Sequence, residues 1–194
     1  MSFKSAVALV LLLEIVALLL GVISYGWNVE GLQAVTRFSG RVSLALFSCI
    51  FLFYNHPAVD VRRILSDKFF LIFAIAHGIH LSELLSYLYF SGSPIIPVRL
   101  LGGMVAYAMI FAMPWIQRQF ELSKITEKRF NQAALIYLYF VWFIFFMTYL
   151  PRVRGELPNA GGSYKEFVIL LGWVSIMMGF KWSQLLAKPR QRRS

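Results

Sequence analysis

Six long apolar runs divide the 194-residue chain, each about as long as a helix must be to cross roughly 30 Å of hydrocarbon. They cover residues 6–25, 38–54, 69–90, 100–116, 131–150 and 166–186. At about 1.5 Å of rise per residue, such runs read as transmembrane helices. With 59% hydrophobic and 14% charged residues, the chain carries more apolar surface than a soluble domain of its size can enclose. The expected architecture is all-α: a single domain, residues 1–194, forming an integral membrane bundle of six transmembrane helices within the lipid bilayer.

The breaks between runs have local causes. Asn55, Pro57 and Asp60 end the second run. Ser91-Gly92-Ser93 with Pro94 and Pro97 separates the third from the fourth, and Pro151, Pro158 and Gly161-Gly162 close the fifth. Lys and Arg distribution sets the expected orientation. A cytoplasmic N-terminus gathers thirteen of the nineteen cations on that side and leaves Arg37, Arg41, Arg99, Arg152, Arg154 and Lys165 on the other. This asymmetry predicts that both termini are cytoplasmic.

The same loop distribution accounts for the net charge of +10. Nucleic acid is not an expected partner, because the cations follow topology and do not gather on one soluble face. The tail from Lys188 to Arg193 is expected to meet anionic lipid head groups. The first run should remain as an anchor, since Ser24-Tyr25-Gly26-Trp27 lacks a small-x-small cleavage pattern. Cys49 is the only cysteine, which excludes an internal disulfide, a cysteine metal cluster and covalent haem attachment. There is no Walker loop, Rossmann fingerprint, zinc-protease motif or nucleophile elbow.

Against this apolar background, His77, His80 and Glu83 stand inside the third run. Ionisable groups at membrane depth are expensive and mark candidate functional sites. On a helix, His77 and His80 project within roughly 60° of each other, about 4.5 Å apart along the axis, with Glu83 a further step around. Two chemistries use this spacing. His-x-x-His-x-x-Glu offers His77, His80 and Glu83 as three metal donors, and one of the histidines could ligate haem if another helix supplied the opposite side. The plain alternative is a hydrogen bond across helices, with Glu14 in the first run as the natural partner.

Arg41 lies about one turn inside the second run, at the depth expected of Glu83. An ion pair between them would lower the cost of both charges, and anchoring an anionic group, a haem propionate or a lipid phosphate, is the functional alternative. Arg37 is close enough to the interface to snorkel. The aromatic group Phe140, Trp142, Phe143, Phe145 and Phe146 could line a cofactor pocket, face a partner or meet lipid.

The stretch Ser39-Gly40-Arg41-Val42-Ser43-Leu44, running to Pro57 and Arg62-Arg63, then a span bearing His77, resembles the ferric reductase-like transmembrane domain. The similarity is greatest to the haem-binding membrane subunit of the bacterial methionine sulfoxide reductase system. Pro97-Val98-Arg99-Leu100-Leu101-Gly102-Gly103-Met104 and the basic loop from Lys124 to Arg129 extend the resemblance, which covers residues 38–150. It implies a b-type haem, a redox partner protein and residence in a bacterial inner (plasma) membrane. The fifth run departs from the family, whose two histidines there align with Ala134 and Met147. Met147 opposite His77 or His80 would make a His/Met pair, but helix rise places it roughly 7 to 12 Å nearer the outer face.

The leading expectation is therefore a membrane-embedded haem-binding or electron-transfer subunit with His77 or His80 as ligand. It would pass electrons between a quinone or cytoplasmic flavoprotein and a partner on the far side. The alternative is a non-redox membrane scaffold or accessory subunit of a larger complex, in which the His/Glu cluster is structural. A third is a metal or proton pathway through Glu14, His77, His80 and Glu83.

Overall fold

The computed structural model describes residues 1–92, 97–157 and 161–187, and their regular secondary structure is all helical. In chain order they are α1 (Phe3–Tyr25), α2 (Val29–Phe53), α3 (Val61–Ile64), α4 (Phe69–Ser91), α5 (Pro97–Glu121), α6 (Glu127–Val153) and α7 (Tyr164–Ala187). The 188–194 tail, with its expected lipid contacts, lies outside the described residues, as do Pro94 and Pro158.

Among the described residues, five helices are long and apolar enough to cross a membrane, not the six expected. They are α1, α2, α4, α6 and α7 up to Gln184. The exception is α5, where the fourth run was placed. Its length suffices, but Gly102-Gly103, Pro114 and Gln117-Arg118-Gln119 dilute the apolar character of its described part. The even number of spans on which the shared side of the termini rested is not found among the described residues. The second span also begins nine residues earlier than its apolar run, at Val29 rather than Phe38, because Asn28 caps it by accepting a hydrogen bond from the Gly31 amide at 2.9 Å.

Close approach sets the first hairpin. α1 ends where Gly26 takes φ 84°, and a side chain at Gly31 would collide with the Gly26 carbonyl, so the turn depends on both glycines. One turn earlier, Gly21 admits the side chain and backbone of Val35. Residues Ala6, Val10, Glu14, Ala17 and Gly21 form the buried stripe of α1, while Leu12, Ile15, Leu19 and Ile23 face outward, as a lipid-facing surface requires.

Helix α2 is the axis of the bundle. It packs against α1, α4, α6 and α7, while α5 fills the space between α4 and α6. Phe47, Ile50 and Phe51 of α2, Phe70 and Phe73 of α4 and Tyr137 of α6 form the fully buried centre. The Phe47 ring lies 5.7 Å from Phe73 and 5.2 Å from Phe145 of α6. Polar side chains lock α7 onto this centre: Trp173 Nε1 donates to Ser48 Oγ at 2.9 Å, and Trp142 Nε1 of α6 donates to the Val174 carbonyl at 2.9 Å. These bonds satisfy indole N–H groups that lipid could not.

Candidate functional site

Five helices enclose a cavity of about 380 Å³ above this aromatic centre. Each wall is one helix face at spacings of three and four. α2 contributes Thr36, Arg37, Gly40 and Arg41; α4 contributes His77, His80 and Leu84; α5 contributes Gly103, Ala106, Tyr107 and Ile110. α6 adds Val141, Ile144, Phe145, Thr148, Tyr149 and Arg152, and α7 closes the space with Phe167 and Leu170. A volume in this range is typical of a small-molecule site.

The two histidines lie on one wall, as their spacing on a single helix requires. The His77 ring packs 5.2 Å from Phe73, 4.8 Å from Tyr107 and 5.3 Å from the His80 ring, centre to centre. His80 rests on the backbone of α2, where a methyl group on Gly40 would come within 3.2 Å of its Cε1. Nδ1 of both rings is buried without a hydrogen-bond partner. Neither imidazole pairs with Glu14, so the expected bond to the first helix is not made.

Positive charge also reaches this cavity. Arg37, Arg41 and Arg152 all reach the cavity wall. Arg41 Nη2 bonds Glu166 Oε2 at 2.8 Å, so its carboxylate partner is on α7 and not Glu83, as depth alone had suggested. The true partner is 125 residues away in sequence and opens a different span. Arg37 takes Gln33 Oε1 at 3.3 Å and keeps a buried Nε with no partner, while Arg152 bonds the Thr148 carbonyl. Arg37 and Arg152 feel each other's charge, with Tyr149 beside Arg152. Arg37 therefore does more than snorkel. A second crevice, lined by Gln33, Gly161, Gly162, Ser163 and Glu166, shares Arg37 and Arg41 with the cavity, so these arginines stand at its mouth.

Two other expected residues lie elsewhere. Met147 is 41% exposed and stands off the cavity wall. Glu83 continues the α4 stripe but turns toward Ser39 of α2 rather than into the cavity. Among the described residues, no three His, Cys, Asp or Glu side chains come close enough to share a metal ion, so His77, His80 and Glu83 do not converge on one. His56 is on the loop after α2, its ring stacked on Phe180 and its Nδ1 accepting from the Ala58 and Val59 amides, both at 3.1 Å.

Sequence reasoning missed Arg37, Arg152, Tyr107 and Gly40 as wall residues. Arg37 and Arg41 were detectable as an i, i+4 pair sharing one helix face. Of the aromatic group on α6, only Phe145 lines the cavity; Phe143 is exposed. The chain matches no protein-family model, no curated protein and no solved structure.

Proposed function

We propose that the chain is a haem-binding subunit of a membrane electron-transfer system, with the α2/α4/α5/α6/α7 cavity as the haem site. The observation that carries this reading is that two imidazoles, each with a buried Nδ1 lacking a hydrogen-bond partner, and three arginines line one largely apolar cavity. A porphyrin needs those elements: a nitrogen donor for the iron, an apolar slot for the ring and cations for the carboxylates. The resemblance of residues 38–150 to ferric reductase-like transmembrane proteins points the same way, and to a bacterial inner membrane.

The residues fit the group in kind. His77 or His80 would hold the iron from α4, and Arg37 and Arg152 would take the carboxylates at the mouth, since Arg41 already has Glu166. Gly40 keeps the α2 side low enough for His80 to pack against it. Tyr107 and Phe145 supply aromatic walls. When bound, haem supplies one-electron redox chemistry. The described residues place ligating nitrogens on α4 alone, with no second histidine across the cavity.

Titration of haemin into the protein in lipid nanodiscs tests the reading. Saturable binding with a shifted Soret band is expected, lost in His77→Ala/His80→Ala. Arg37→Ala/Arg152→Ala should weaken binding roughly ten-fold or more, because a charge-assisted hydrogen bond contributes about 1.5–3 kcal/mol. Unchanged binding in the double histidine variant would refute the assignment.

A further inference from the structure

On the other side of α2, away from the cavity, Glu14 of α1 and Glu83 of α4 approach the same residue, Ser39 of α2. Glu14 is 5% exposed, and neither of its carboxyl oxygens has a hydrogen-bond partner. Glu83 is half-buried, with its Oε2 enclosed and unpartnered. Ser39 is 0% exposed, and its hydroxyl lies beside both carboxyls without closing a bond to either. The two carboxyls are also near enough to interact electrostatically.

Nothing nearby balances them as anions. On α1 the nearest cation is Lys4, ten residues away or about 15 Å along the helix. On α2, Arg37 and Arg41 line the cavity, on the face away from Ser39, and Arg41 is paired with Glu166. On α4, His80 lines the cavity, and from α5 Tyr107 packs on His77 rather than on the carboxyls. Two carboxylates in apolar surroundings cannot both stay ionised without a counter-charge; one shared proton removes their mutual repulsion and halves the buried charge.

We propose that Glu14 and Glu83 form a membrane-embedded proton-binding site that holds one exchangeable proton beside the Ser39 hydroxyl. The carboxyl pair takes this proton from hydronium in the aqueous phase, forming one O–H bond on a carboxylate oxygen and leaving water, and Glu83, the more open partner, is where it enters. Ser39 can donate to whichever oxygen is ionised and accept from whichever is protonated, so the proton can sit on either side. The site stands whether or not the cavity binds haem. If it does, the pair lies one helical turn beyond His80, where proton uptake would offset added negative charge.

Infrared spectroscopy of the full chain in nanodiscs tests this directly. At neutral pH the wild-type protein should show a protonated-carboxyl C=O band that shifts in D₂O and disappears in Glu14→Gln/Glu83→Gln. Ser39→Ala keeps both carboxyls and should shift the band without removing it. Gln mimics the protonated carboxyl in shape, so the double variant should fold and melt no lower than wild type. Absence of any band that the double variant removes would overturn the proposal. So would a band that appears only when sodium is replaced by choline, because the pair would then hold a sodium ion instead.

Discussion

Gly40 lies directly beneath the His80 imidazole: a methyl group placed on its α-carbon would stand 3.2 Å from Cε1 and 3.7 Å from both ring nitrogens. The histidine is thus positioned by a missing side chain on the neighbouring helix. Gly40→Ala forces the ring to move by a few tenths of an ångström, while alanine stabilises the helix by roughly 0.5–1 kcal/mol. The melting temperature should therefore change by only a few degrees and the haem spectrum should shift. Gly40→Leu would drive the ring into the cavity and abolish haemin binding, measured by titration in nanodiscs.

Arg41 and Glu166 tie the middle of α2 to the first turn of α7, with side chains 27% and 43% exposed. Glu166 also accepts from the Ser163 amide at 3.2 Å, which caps α7. A double-mutant cycle of Arg41→Ala and Glu166→Ala should give a coupling of about 1 kcal/mol or less, as expected for a partly exposed pair, and it should shrink with added salt. The same cycle with Arg41 and Glu83 should give no coupling.

The Trp173–Ser48 bond holds α7 against α2 at 2.9 Å, and Ser48 Oγ in turn bonds the Leu44 carbonyl at 2.7 Å. Ser48→Ala leaves the indole N–H without its acceptor. The expected loss is about 1 kcal/mol, read as earlier thermal unfolding in nanodiscs. Trp173→Phe removes donor and need together, and combining it with Ser48→Ala should add little.

Just past the end of α2, burial pushes the Tyr54 phenol up to about 12 from its ordinary 10.0, with Glu127 adding to the rise and Arg62 opposing it. The hydroxyl donates to Asn131 Oδ1 at 2.8 Å, a bond that the phenolate cannot make. Because the folded value lies above the unfolded one, the protonated phenol favours the fold at all pH below 10. That contribution is lost as pH rises from 10 to 12. Denaturation followed between these pH values should show the decline in wild type and a smaller one in Tyr54→Phe.

Where lipid is the solvent, hydropathy and chain punctuation were enough to find the helices: the third run, 69–90, becomes Phe69–Ser91, stopped by Gly92 in the left-handed region. They failed where a helix keeps polar residues for its neighbours. Glu30, Gln33 and Arg37 hid the first three turns of α2, yet Gln33 and Arg37 face the crevice beside α7 rather than lipid. The run 100–116, counted as a span from its sequence, belongs to α5, whose described part carries two glycines and Gln117-Arg118-Gln119 and is not among the five candidate spans. At the site, the stripe of His77 and His80 could be read from one helix. Its partners could not, because the Glu166 carboxylate, the Gly40 floor and the Arg152 mouth come from three other helices. Their meeting is a property of packing, not of spacing.

The central proposal is that His77 or His80 holds haem in this cavity. Its most direct test is the visible spectrum of the full chain, purified from haem-replete cells and recorded oxidised and dithionite-reduced. A Soret band that shifts on reduction and vanishes in His77→Ala/His80→Ala is the predicted result. A colourless wild-type preparation, or a band unaffected by the loss of both histidines, would contradict it.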